Sequence, residues 1–500
     1  MELKSPFFLI SSFIFLLIFL AKIYKHKIKV RSHKLPPGPW KLPLIGNLHQ
    51  IAFAGKLLHH TIRDLSHKYG PLMHLQLGEI SAVVVSSPNL TKEIMRTHDL
   101  SFVERPRFLA PNIITYESKD ILMSSYGDYW RQMRKICTSE LLSAKRVQSF
   151  SSIREDGVEK MIQFIHSTSC QDPLDLSKMI SSLVSSFISR ATFGKKSKYE
   201  DELLCLLKQS MEMVNYFDVS DVFPSFKPIH FISGMKPRLK NFQKKLDMIF
   251  EKIINAHQSN HDLQGENIVD VLLRIQQSGS LNIPITHDNV KAVIWDMFAG
   301  ASDSSAITID WAMSELMKNP RVRMKAQAEI REVCKGKKRI YESDLHELSY
   351  LKSVIKETLR LHPPGAILTR ECREACNIGG YEIPIKTNLI LNAWAIGRDP
   401  NHWSDAEKFI PERFHDNTGF DFNKVNDNSF QYIPFGGGRR MCPGVLFGLA
   451  NIELPLAALL YHFDWKIPNE MKAEDFDMTE EYGATVSRKN NLFLIPTPYI

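Results

Sequence analysis

One cysteine stands in a setting suited to metal chemistry. Cys442 lies in the segment Phe435-Gly436-Gly437-Gly438-Arg439-Arg440-Met441-Cys442-Pro443-Gly444. Three glycines let a backbone approach a flat ligand closely. Arg440 can pair with an anionic group on such a ligand, a propionate for example. An apolar helix is predicted over Val445–Leu460, and backbone N–H groups near its start favour a thiolate. A soft thiolate suits iron and pushes electron density toward it. The alternative at this point is a structural cysteine beside a glycine turn. The loop lacks the G-x-x-x-x-G-K-[ST] form of a phosphate-binding loop.

A second group of residues has spacing rather than reactivity. In Lys356-Glu357-Thr358-Leu359-Arg360 the acid and the arginine are three apart and share one helix face. Trp130 and Arg134 are four apart and also face one way. Alone, such pairs are ordinary packing or a solvated ion pair.

Together these segments resemble the cytochrome P450 family. The cysteine loop is similar to the family's haem loop F-x-x-G-x-R-x-C-x-G, matched by Phe435, Gly438, Arg440, Cys442 and Gly444. Glu357 and Arg360, with Arg413 of Pro411-Glu412-Arg413-Phe414, resemble the family's buried charge network. The resemblance implies haem b, its iron bound axially by the Cys442 thiolate. It implies Phe435 and Arg440 at the cofactor, with Trp130, Arg134 and Arg370 reaching its propionates. Asp296-Met297-Phe298-Ala299-Gly300-Ala301-Ser302-Asp303-Ser304-Ser305 is similar to the family's oxygen-activating helix, [AG]-G-x-[DE]-T-[ST]. Asp303 then takes the place of the acid and Ser304 that of the alcohol, a pair suited to proton delivery. Ala301 stands where the family has glycine, and Ser304 where it has threonine. The serine keeps the hydroxyl but lacks the methyl that holds a threonine rotamer, so the pair predicts a working relay with poorer coupling.

Within the family the chain is similar to the plant microsomal type, on Lys41–Leu48, Tyr69-Gly70-Pro71-Leu72-Met73 and Tyr126-Gly127-Asp128-Tyr129-Trp130. That likeness implies O2-dependent oxidation of a small hydrophobic metabolite, a sesquiterpenoid or diterpenoid first. An alkaloid oxidase and a haem-thiolate isomerase are the alternatives. No G-x-G-x-x-G follows a predicted strand, so the chain shows no nicotinamide or flavin site of its own. Electrons are expected from an NADPH-cytochrome P450 reductase, met on a face carrying Arg131, Lys135 and Arg439. The family layout assigns the pocket to 105–119, Met211, Met213, Phe217, Phe298, Ala301, Ala366–Leu368 and Gly483–Val486.

The elements that must hold these residues are mostly helical. Apolar periodicity predicts helices over 59–69, 88–98, 126–136, 140–167, 174–193, 201–216, 236–259, 266–276, 286–318, 320–334 and 350–361. Short strands are predicted at Met73–Leu77, Ala82–Val85, Tyr381–Ile383 and Asn388–Asn392. The fold class is therefore mainly α with small β-sheets, the cytochrome P450 fold, preceded by one N-terminal transmembrane helix.

That helix is read from Ser5–Ala21, 17 residues without a charge, followed by Lys22, Lys25, Lys27, Lys29 and Arg31. At 1.5 Å per residue it spans about 25 Å, close to a hydrocarbon core. The basic run keeps the rest on the cytosolic side. The expected organisation is an anchor with stop-transfer segment over 1–34, a proline-rich hinge over 35–39 and a catalytic domain over 40–500. The expected place is the endoplasmic reticulum membrane, as a single-pass protein. The 63 basic and 55 acidic side chains give a charge of +8, spread along the chain, which argues against nucleic acid. Seven cysteines at long spacings argue against a disulfide framework.

Overall fold

A computed structural model describes residues 34–52, 54–168, 172–194, 199–214, 219–226, 234–259, 266–415, 420 and 430–499. The expected anchor, its basic run and Phe217 lie outside the described residues.

Eleven helices carry most of the body among the described residues: α1 (Leu58–Tyr69), α2 (Asp128–Ile136), α3 (Ser151–Ser167), α4 (Leu176–Phe193), α5 (Glu200–Val214), α6 (Met235–Ser259), α7 (Ile268–Gln277), α8 (His287–Lys318), α9 (Pro320–Val333), α10 (Ser349–Leu361) and α11 (Val445–His462). The 32-residue α8 is the axis. Its start is fixed by a capping box, in which Thr286 and Asn289 each satisfy the other's backbone N–H. It packs along α4 and α11 and touches α10. Helix α11 is apolar and long enough to cross a membrane, yet 72% of it is buried inside this body. It is a core helix, and its apolar character reflects contact on all sides.

The main sheet has the order β1-β2-β4-β3, with β1 Leu72–Leu77, β2 Ile80–Val85, β3 Ile367–Glu371 and β4 Asn388–Asn392. β1–β2 and β3–β4 pair antiparallel, while β2–β4 is parallel, with Ala82 opposite Asn388. Near the C-terminus, β5 (Phe463–Lys466) pairs with β8 (Phe493–Pro498), and β6 (Glu480–Tyr482) with β7 (Val486–Arg488).

Three expectations need adjustment. The helix expected over 140–167 is broken into Ala144–Ser149 and α3, after a π turn over Cys137–Leu141. Ser143 is extended there (φ −64, ψ 154), and its hydroxyl accepts from the Arg146 N–H, so a new helix starts inside the apolar run. The helix expected from 174 begins at Leu176, because Leu174 and Asp175 pair with Leu494 and Phe493. The proline-rich segment is extended, as its composition requires, but it is also pinned to the sheet. Pro37 O accepts from His74 N (2.8 Å), and a side chain on Gly38 would strike His74 O.

A buried lock joins distant elements beside the sheet. Glu480 accepts from His59 (2.8 Å), His60 (2.9 Å) and the Trp394 indole (3.1 Å). Against the opposing effect of burial, His362 (3.8 Å), His59 and His60 hold its carboxyl well below the usual range.

Candidate functional site

The loop before α11 is shaped by its neighbours. Gly436 and Gly438 have positive φ (73 and 65). A Cβ on Gly437 would come within 2.7 Å of Met95 Sδ, and one on Gly438 within 2.4 Å of Asp99 Oδ1. So two of the three glycines serve close packing against the chain at Met95–Asp99, not close approach to a ligand. Gly436 alone faces the β3 side, with Leu368 Cδ1 3.7 Å from its would-be Cβ.

Cys442 is held by its N–H to Phe435 O (2.9 Å), and the Gly444 N–H donates to its sulfur (3.4 Å). Burial pushes the thiol up, while that N–H and the Arg134 charge pull it down. The side chain is nevertheless accessible. Accessibility together with desolvation describes a thiol lining a hollow inside the body.

Helix α8 has an open strip beside this loop. Gly300 is exposed and Ala301 and Ser304 are half-exposed, within a helix whose other faces are buried. Gly448 of α11 lies against Ser305, its would-be Cβ 3.9 Å from the hydroxyl. Phe298 is fully buried against Phe193 and Trp295. Ala366 and Val486 pack on Trp394, and Met213 is in the core. Ala301, Ile367 and Leu368 keep accessible surface.

The arginines gather on one side. Arg370 is 5% exposed, and its guanidinium donates to Thr369 O (3.3 Å). Burial, then Arg105 and Arg440, hold it well below the ordinary arginine value. Burial and Arg440 hold Arg105 at about 9. Asp99, the carboxylate bearing on Arg370, is already paired with Arg439 (3.2 Å). Desolvated like charges of this kind call for an anion between them. The sequence places Arg105 in the 105–119 pocket segment without giving it a contact to the cofactor's anionic arms. Only folding sets it beside Thr369, whose carbonyl it binds (2.6 Å).

The other sequence-chosen residues have firm protein partners. Arg440 donates to Val103 O (2.9 Å), Ile121 O (3.3 Å), Leu122 O (3.4 Å) and Ser124 O (2.5 Å), and lies over Trp130 (4.6 Å). Its guanidinium is thus a rivet for the 103–124 segment. Trp130 donates to Ile121 O (3.0 Å), and Arg134 to Met441 O, beside the cysteine. Phe435 packs against the main core.

Asp303 and Ser304 sit on α8 next to the open strip. Ser304 Oγ donates to Gly300 O (2.8 Å). Asp303 accepts from the Thr485 hydroxyl. Burial raises the Asp303 carboxyl, and Thr485 opposes it. Behind the site, Glu357 takes Arg360 in a two-point pair (2.7 and 2.8 Å) and Arg413 (3.1 Å), both acid and first arginine being wholly buried.

An accessible, N–H-supported thiol and a cluster of under-compensated guanidinium groups fit a flat, metal-centred cofactor with anionic arms. Comparison with known proteins agrees. The cytochrome P450 family model matches residues 36–495. Cytochrome P450 71D8 of Glycine max is 56% identical, covering 100% of this chain and 99% of the relative. Premnaspirodiene oxygenase of Hyoscyamus muticus is 51% identical over 99% and 98%. Tabersonine 3-oxygenase of Catharanthus roseus is 48% identical over 99% and 99%. In three dimensions a zebra fish cytochrome P450 with abiraterone aligns at TM-score 0.74 and 23% identity, over 88% of this chain and 98% of the other. The chain belongs to the cytochrome P450 family, and is a haem-thiolate monooxygenase that uses O2 and a redox partner on small hydrophobic molecules.

Proposed function

We propose that this enzyme oxidises a terpenoid, a sesquiterpenoid or diterpenoid, with Cys442 as the iron ligand. The observation that carries the iron assignment is the Cys442 thiol, accessible in the interior and supported by the Gly444 N–H at 3.4 Å. The bound haem supplies the iron at which O2 is activated. Arg370 and Arg105 hold its anionic arms, with Arg134 beside Met441. Trp130 and Arg440 act with them by fixing the 103–124 segment against that edge. Phe435 supports the cysteine loop through its carbonyl. Asp303 and Ser304 pass protons to the reaction centre, the acid drawing on a carboxyl that burial keeps easier to protonate.

The terpenoid reading draws on relatives named for premnaspirodiene and 5-epiaristolochene, each 51% identical. The relative named for tabersonine supports the second reading, an alkaloid substrate. Electrons come from an NADPH-cytochrome P450 reductase, and exposed Arg131, Lys135 and Arg439 offer it a basic face. Residues 1–34 anchor the enzyme in the endoplasmic reticulum membrane, 35–39 form the hinge, and 40–500 form the catalytic domain on the cytosolic side.

The test is expression with a plant reductase, feeding of terpene scaffolds and mass spectrometry of the products. A hydroxylated sesquiterpene or diterpene is the expected result. Turnover of an alkaloid, with no terpene consumed, overturns the substrate assignment.

A further inference from the structure

We propose that Thr485, at the turn between β6 and β7, is the positioning residue of Asp303, so that the C-terminal hairpin sets the orientation of the proton-delivering acid. The inference rests on the reading of Asp303 as that acid.

The Thr485 hydroxyl donates to Asp303 Oδ2 across 182 residues of chain. Among the described residues no ion pair reaches Asp303, and burial and Thr485 are what act on its carboxyl. Asp310, two helical turns further on, differs: it has Ser177 (2.6 Å) and Arg488 (3.7 Å). Asp303 therefore depends on one donor for its direction.

That donor is rigidly mounted. The Val486 N–H reaches Pro364 O (2.9 Å), and Trp311 of α8 donates its indole N–H to Val486 O (3.2 Å). Arg488 meets Asp310 on the same helix. At the other foot, Glu480 is clamped by His59, His60 and Trp394. A turn anchored at both feet presents its hydroxyl at a fixed point, and a carboxylate that accepts from it loses rotational freedom. Ser304, the next residue, has its own hydroxyl committed to Gly300 O (2.8 Å), so of the two groups only Asp303 is oriented from outside the helix.

The test uses the full-length enzyme with its reductase and four variants: Thr485→Val, Thr485→Ser, Asp303→Asn and the double variant Thr485→Val/Asp303→Asn. Thr485→Val keeps the shape and removes the donor. It should lower the fraction of NADPH electrons found in product by about 3- to 10-fold, less than the 10²-fold or more of removing a general acid. The solvent isotope effect should rise, and Thr485→Ser should restore both. In the Asp303→Asn background Thr485→Val should change neither quantity further. A readout free of turnover is the infrared carboxyl band assigned by Asp303→Asn. Thr485→Val should move its titration to higher pH, because a donor to the charged form is lost. A Thr485→Val effect that persists without Asp303, or an unmoved band, overturns the positioning role. Asp303→Asn with normal coupling and isotope effect overturns the acid assignment instead.

Discussion

Glutamine at position 357 removes one charge from the most enclosed ion cluster in the protein. Glu357 accepts four hydrogen bonds: two from Arg360, one from Arg413 and one from the Ile410 N–H (2.8 Å). The Glu357 and Arg360 side chains are fully buried, and that of Arg413 is 9% exposed. The amide keeps one oxygen but turns an N–H2 toward guanidinium donors. Breaking a buried pair in this way costs about 3–5 kcal/mol. Arg360 retains Gly397 O (2.6 Å), Ala406 O (2.7 Å) and Lys408 O (3.0 Å), which argues for the lower end, about 3 kcal/mol. Glu412, one residue from Arg413, is the control. It is partly exposed, and one of its oxygens accepts from Arg321 (2.8 Å), Lys325 (3.4 Å) and the Tyr350 hydroxyl (3.0 Å), bonds that an amide oxygen keeps, so Glu412→Gln should cost about 0–1 kcal/mol. Urea unfolding, followed by tryptophan emission and by haem absorbance, gives both values. If Glu357→Gln lies within about 1 kcal/mol of the control, the idea that this network holds the fold fails.

Cys442→Ser should abolish the red-shifted absorbance of the reduced carbon monoxide complex while the chain still folds; retention of that band would sink the ligand assignment. Ser304→Ala should raise peroxide release per NADPH, and Ala301→Gly with Ser304→Thr should lower it below wild type; unchanged peroxide in both removes Ser304 from the relay. Arg370→Ala should speed haem loss to apomyoglobin by about tenfold or more, given a charge-assisted contact of about 1.5–3 kcal/mol; an unchanged rate contradicts its anion-holding role. Asp120 and Asp296 form a buried carboxyl pair, both pushed up by burial, with Asp296 raised further by the Asp120 charge. Raised folded values contribute stability that is full below the ordinary aspartate value, about 4, and lost as pH rises through the raised ones. Acidification from pH 8 should therefore stabilise wild type relative to Asp296→Asn, by up to about 1.4 kcal/mol per pH unit. Identical pH profiles of the two proteins would show that the pair holds no extra proton.

Some of this was legible in the residues alone, and the reason is locality. The helix over 286–318 and the apolar helix after Cys442 follow from patterns within a few turns, where neighbours along the chain are neighbours in space. Cys442 stands out because its loop partners, Phe435 and Gly444, lie within a few residues of it. Glu357 and Arg360 are one turn apart, so their pairing is written in their spacing. Tertiary structure decided the rest. It split 140–167, because a serine cap outweighs continued periodicity. It gave Gly437 and Gly438 to packing against Met95 and Asp99. It brought Arg105 to Thr369 across 264 residues, Thr485 to Asp303 across 182, and Glu480 to His59 across 421. No local pattern encodes such meetings, because they depend on how every intervening helix packs. Sequence thus carried the cysteine loop and its likeness to the family, while the partners of Arg105, Asp303 and Glu480 were settled only when distant segments closed on one another.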